Sequence, residues 1–290
     1  MSMQKVLDKA IKASETKSHR WYRTKTGRYT EYMTKREWNN FLDDMITNHT
    51  EAYCAFKNGG GKELEERTSG KYVYPPKMAS YGSSSRMIYI LAKDICDFKF
   101  EKQLPTYVGG TANLDGFIEK DNCFIFVEAK CHEPYHTKKE RIREPYKELY
   151  KYISESDKTP MICSTDTLVF SYNENEINFF DMKQMICHML GIAGAVIDGK
   201  YREKDIRFLY LLFNPTKINI PDTNEKEKIL DVYKRICNEC NMIDFSVLFE
   251  VIFNYQKERL KKGKQIDDFA YTRKFIFRLC DADEFIKEIS

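Results

Sequence analysis

Cys123-Phe-Ile-Phe-Val127 is an unbroken run of apolar residues that ends abruptly in Glu128-Ala-Lys130. A short run of this kind, rich in aromatic and β-branched side chains and bounded by polar residues, reads as a strand belonging to a core. At its end Glu128 and Lys130 stand two residues apart, so the period of an extended chain points both side chains to one face. A carboxylate placed there loses its hydration unless a cation or a proton compensates.

The segments around this strand have equally clear patterns. Phe98 to Leu104 alternates with period two and is ended by Pro105; Gly109 and Gly110 mark a turn; Ala112 to Glu119 reads as a second strand; and Lys120-Asp121-Asn122 as the hairpin turn into Cys123 to Lys130. Ser83, Ser84 and Ser85 offer N-caps to a preceding helix with the stripe Met87, Ile88, Ile90, Leu91 and Ile95. Downstream, Tyr135 to Ser154 predicts a helix or helix pair broken near Pro145, and Asp181 to Val196 a helix buried through Met185, Ile186, Met189 and Ile192. Ile206 to Phe213 is a nearly continuous apolar strand, expected to be central, stopped by Asn214-Pro215. Helical spacing recurs from Thr34 to Phe56 and is broken at Asn58-Gly-Gly-Gly61; without Ser or Thr after Lys62 this is a linker and not a phosphate loop. Residues 69–82 read as an irregular connector. The expected organisation is a helical N-terminal extension over 1–70, a core over 71–215 with an insertion at about 131–180, and a mainly helical C-terminal extension over 216–290.

With 42% hydrophobic and 31% charged residues in 290, the composition is that of a folded soluble chain. No window approaches the roughly 18 apolar residues of a membrane span, and Met1 to Lys12 lacks a secretory core, so a cytoplasmic protein without a membrane partner is expected. Nine scattered cysteines, several inside apolar runs, suit reduced thiols better than a disulfide framework. Cys237-x-x-Cys240 has no second pair, and Cys131, His132 and His136 do not make a tetrahedral zinc set. Net charge is only +3, but residues 1–38 carry ten basic against four acidic residues, a local +6. There Lys17, Arg20, Arg23, Lys25 and Arg28 interleave with Trp21, Tyr22 and Tyr29, which is either a nucleic-acid arm or a solvated segment. A second patch, Lys138 to Lys151, has six basic against three acidic residues, and Lys138, Lys139, Arg141 and Arg143 are its candidate phosphate contacts. Arg86, at a helix start, is a further candidate.

The chemistry lies where polar residues interrupt apolar runs. The hairpin brings Asp115 of the second strand beside Glu128 and Lys130. Two carboxylates with the remaining positions open to water suit Mg²⁺ or Mn²⁺, with the backbone carbonyl of Ala129 as a further ligand. A lysine beside such an ion holds the attacking water or stabilises charge on phosphorus, which fits phosphodiester hydrolysis. On this view either carboxylate can be deleted without harm to folding, because the empty site gains from relief of repulsion.

Leu114-Asp115 and Glu128-Ala129-Lys130, on adjacent strands, resemble the PD-(D/E)xK nuclease superfamily, as does the order helix, three strands, helix and strand over 83–213. The resemblance implies an α/β restriction-endonuclease-like core with a mixed central sheet flanked by helices. It implies that Asp115 and Glu128 ligate the ion and that Lys130 assists the water or the scissile phosphate. Leu114 stands where the motif's name has Pro, and the insertion from about Cys131 to Phe180 is a second departure. The resemblance further implies a polar residue from the helix after the third strand, for which Gln184 is placed; equally, Asp181 and Gln184 have the spacing of a capping box, in which Gln184 would bond back to the helix start. In some members the resemblance also implies an acid from the first helix, for which Asp94 is the candidate; equally, Asp94 reads as a solvated residue near a helix end, and Glu101 on the first strand is a further neighbouring acid. The expected function is a DNA nuclease, an endonuclease of restriction or defence type, with DNA and a second copy of the chain as candidate partners. The alternatives are a non-catalytic DNA-binding or assembly protein that keeps the fold, and a nuclease acting on RNA.

Overall fold

The computed structural model describes residues 32–69, 72–80, 82–131, 144–164, 168–217, 223–261 and 273–290. The basic arm around Lys17 to Arg28, and Lys138, Lys139, Arg141 and Arg143, lie outside the described residues.

Thr34 caps α1 (Lys35–Asn48) in a complete capping box with Glu37, and α2 (Thr50–Asn58) follows. Trp38, Met45 and Phe56 from these helices form a small core with Met78, Ala79 and Tyr89. The connector over 69–82 is more ordered than its composition predicts: β1 (Arg67–Ser69) pairs antiparallel with β2 (Tyr72–Tyr74). α3 (Ser84–Ala92) is capped by Ser83, whose hydroxyl accepts from the Arg86 N–H.

Strands β3 (Lys99–Pro105), β4 (Thr111–Glu119) and β5 (Cys123–Lys130) form the expected antiparallel meander. The chain then enters α4 (Glu144–Ser154), in which Pro145 occupies the first turn, where it initiates a helix and breaks nothing. The insertion holds a three-stranded antiparallel sheet, β6 (Met161–Ser164), β7 (Val169–Tyr172) and β8 (Asn175–Ile177). α5 (Met182–Ile197) precedes β9 (Asp205–Leu212), which pairs parallel with β5 as a buried interior strand. Beyond it come α6 (Thr223–Met242), α7 (Phe245–Lys261), β10 (Phe275–Cys280) and α8 (Ala282–Ile289).

The C-terminal segment is more than an extension. β10 pairs parallel with β9, so the five-stranded mixed sheet runs β10-β9-β5-β4-β3 and extends past residue 215, where the sequence places the end of the core. Aromatic stacking explains the addition: Phe277 lies 3.9 Å from Phe245 and Phe275 4.2 Å from Phe249 between ring centroids, so β10 and α7 close over the same apolar face.

Helices cover both faces of the sheet. Phe124, Phe126, Phe208 and Tyr210 face the core containing α5 and α7, whereas Ile125, Val127, Leu209 and Leu211 face α3 and α8. Alternation along β5 therefore sends Glu128 and Lys130 toward α5. Gly191 lets that helix lie against the meander, since a Cβ there would meet the Ala112 Cβ at 2.7 Å. Among the described residues no helix is long and apolar enough to cross a membrane.

Candidate functional site

The register Gly116↔Val127 and Phe117↔Phe126 continues to Asp115 beside Glu128, and Phe100↔Gly116 and Lys102↔Leu114 flank Glu101 opposite Asp115. Three carboxyl residues thus occupy one row across β3, β4 and β5. Glu101 takes a left-handed backbone at φ 53°, which interrupts the pairing at that position. Its carboxyl packs against the α2 C-terminus so closely that a Cβ at Gly59 would come within 2.5 Å of its oxygen.

Glu128 is 3% exposed and is the centre of the polar group. Lys130 Nζ lies 2.7 Å from Glu128 Oε1, and the Gln184 amide bridges the pair: its Nε2 donates to Glu128 Oε1 at 2.7 Å and its Oε1 accepts from Lys130 Nζ at 2.5 Å. Asp181 caps α5 by accepting from the Gln184 N–H at 2.9 Å. Only half of the capping box forms, because the Gln184 side chain turns away from the helix start to the two charged groups.

His188, one turn further along α5 and 2% exposed, brings Nε2 to 2.9 Å from Glu128 Oε2. That approach is not along the ring N–H direction, so neither atom completes an aligned hydrogen bond. The sequence reading missed His188; its signal was the four-residue spacing from Gln184 on a helix otherwise apolar on that side. Asp115 is half-buried and is anchored by the Ala129 N–H, which donates to Oδ2 at 2.7 Å.

The two central carboxyls are held in opposite states. Burial and the Glu128 charge push Asp115 well above the usual carboxylate range, against Lys130 and the Ala129 N–H. Burial also disfavours the Glu128 charge, but Lys130 and His188 outweigh it and hold Glu128 at about 2. Lys130 likewise stays cationic, since Glu128, Tyr210 and Asp181 overcome its desolvation and raise it well above its ordinary value. The site therefore pairs an Asp115 whose protonated form is favoured with a Glu128–Lys130 ion pair.

Glu101 is lifted from 4.5 to about 7 by burial, then by Glu63 and Glu128, against Lys77. A carboxyl raised on folding stabilises the protein fully below pH 4.5, and that contribution is lost as pH rises through about 7. Glu101→Gln, a neutral isostere, is expected to flatten the decline of stability across this interval. Urea unfolding at closely spaced pH values measures it; an unchanged slope would assign the proton to another group.

Gln184 and His188 line a cleft of about 280 Å³ with Asn113, Tyr146 and Tyr150, and through Gln184 that cleft adjoins the Glu128–Lys130 pair. No family model, curated protein or solved structure matches this chain. The site accordingly has to be read from its own chemistry.

Two further candidates lie away from this group. Arg86 is only 6% exposed, with its guanidinium 5.7 Å over the Phe41 ring, so it is buried under α1 and is not a surface contact for phosphate. Asp94 projects into solvent with a side chain 78% exposed, 3.9 Å from His49. Among the described residues no group of three or more His, Cys, Asp and Glu side chains converges as a metal site. The candidate oxygen ligands remain Asp115, Glu128 and the Ala129 carbonyl.

Proposed function

We propose that the protein is a divalent-metal-dependent nuclease that hydrolyses DNA phosphodiester bonds, an endonuclease of restriction or defence type with a restriction-endonuclease-like core. The observation that carries this reading is the buried Glu128–Lys130 pair on an interior strand, bridged by Gln184 and level with Asp115. An ion pair taken out of water is costly, and apolar residues of similar volume would pack an interior strand as well or better. Its presence beside a second carboxyl and next to a cleft lined by Gln184 supports a chemical role.

The donor chemistry suits Mg²⁺ or Mn²⁺. The half-buried Asp115, whose protonated form is favoured, would ionise against a divalent charge, and Glu128 Oε2 is a buried oxygen without an aligned donor. With Asp115, Glu128 and the Ala129 carbonyl, the remaining positions would fall to water and phosphate, as hard ions of this type favour. Such an ion supplies charge to the phosphoryl oxygens and acidifies bound water. Lys130 remains an ammonium at neutral pH, so its role is electrostatic: it orients water or stabilises the charge that builds on phosphorus, and does not abstract a proton. Gln184 keeps Lys130 and Glu128 in one mutual orientation, and His188 flanks the second oxygen of Glu128.

The test is incubation of the purified protein with supercoiled plasmid, linear duplex, single-stranded DNA and RNA, each with Mg²⁺, Mn²⁺ or EDTA. The expected result is DNA cleavage that needs the metal and stops with EDTA. DNA binding without cleavage under every metal would instead support the non-catalytic reading, and cleavage confined to RNA would reassign the substrate.

A further inference from the structure

Glu239, in α6 of the C-terminal segment, is 7% exposed, and its hydrogen bonds go to backbone N–H groups and not to a side chain of the candidate site. Its carboxylate is filled by backbone donors from one short stretch: Asn178 N–H donates to Oε1 at 2.9 Å, Phe179 N–H to Oε2 at 2.9 Å and, more weakly, to Oε1 at 3.3 Å, and Phe180 N–H to Oε2 at 2.7 Å. Successive N–H groups that converge in this way form a concave anion site, here satisfied from within the chain. Side chains reinforce the grip. Arg235, one turn earlier on α6, stacks 5.1 Å from the Phe179 ring, and Phe180 packs against Phe245, Phe277 and Tyr210.

The clamped residues lead directly into α5. Met182 N–H donates to the Phe180 carbonyl at 2.8 Å, Asp181 caps the helix at Gln184, and Gln184 reaches Glu128 and Lys130. We propose that Glu239 is a positioning residue that fixes the start of α5 so that Gln184 stays over the Glu128–Lys130 pair. Its effect on catalysis rests on the nuclease reading; its effect on Gln184 does not. The C-terminal segment thereby sets the geometry of a site to which it contributes no ligand.

Glu239→Gln keeps the shape but loses the charge and replaces one acceptor oxygen with a donor aimed at N–H groups. Amide hydrogen exchange over residues 178–185 is expected to accelerate about tenfold or more, while amides of β5 and β9 keep their protection. With a cleavable duplex and Mg²⁺, kcat is expected to fall about tenfold or more with KM little changed, since small displacements of positioned groups are costly. In a Gln184→Ala background the same change is expected to have little further effect on kcat, because both act through one side chain. The shorter Glu239→Asp variant is expected to fall between wild type and Glu239→Gln in both readouts. Unchanged exchange near Gln184, or a kcat loss of equal size in both backgrounds, would overturn the proposal. Global unfolding of both Glu239 variants would assign the residue to the fold alone and also overturn it. Absence of cleavage by the wild-type protein would count against the nuclease reading, while exchange and the NMR shift of the Gln184 side-chain amide would still decide whether Glu239 sets its position.

Discussion

Asp115→Asn is expected to lower metal-dependent DNA cleavage by about 10²- to 10³-fold, the usual scale for deleting one electrostatic group of a preorganised site, and to leave the folded protein as stable as before. Burial and the Glu128 charge push the Asp115 carboxyl toward its protonated form. Asn reproduces that neutral state and keeps an acceptor for the Ala129 N–H, which donates to Asp115 at 2.7 Å. What it removes is the capacity to become an anion when a divalent cation arrives. Initial rates with Mg²⁺, set beside urea unfolding of the same samples, check both halves. Cleavage close to wild type would remove Asp115 from the mechanism, and a stability loss of several kcal/mol would show that its charge is needed for folding.

Glu128→Ala is expected to lose cleavage and also to destabilise the protein by about 3–5 kcal/mol, the range for breaking a buried ion pair from one side. Glu128 is the counter-charge for Lys130, whose side chain is 12% exposed, and the neighbour of His188, at 2%. This corrects the expectation that either carboxylate can be deleted at no cost. Of the two, Asp115 is the carboxyl pushed toward its protonated form, and Glu128 is the one held ionised beside Lys130. The double variant Glu128→Leu with Lys130→Met removes both charges and is expected to recover much of the loss, because replacing a whole buried pair by apolar residues is often neutral or better. Denaturant unfolding of the three proteins decides it; equal losses for the single and double variants would show that burial of the pair is not the source. Stability from Glu128 is present above pH 4.5 and is lost as pH falls through about 2, the sign expected for a depressed carboxylate.

Much of this molecule was legible from local pattern. Apolar runs and turns located β3, β4 and β5 within a residue or two of their ends, because alternation and hairpin chemistry are properties of neighbours in the chain. The same period placed Glu128 and Lys130 on one face, and the hairpin set Asp115 level with them. The α5 boundaries followed from the Asp181 cap and the apolar stripe. Pro145 misled only in its direction, since an early-turn proline begins a helix as readily as a later one ends it.

What tertiary structure alone decided concerns partners distant in sequence. Whether Gln184 closes its own capping box or reaches across to Glu128 depends on the sheet lying beneath α5, 56 residues away in the chain. His188 became visible as a neighbour of Glu128 only through the same packing. Arg86 looked available at a helix start until α1 was laid over it. β10 joined the central sheet because an exposed strand edge and a set of phenylalanine rings were waiting for it, neither of which is written within residues 275–280. The sequence by itself determined which residues are strand, helix and turn, and which side chains share a face, since these follow from steric and hydrogen-bonding rules acting over a few residues. Only the folded molecule determined which carboxyl carries the charge, because ionisation depends on desolvation and on charges that long-range packing brings within a few ångströms.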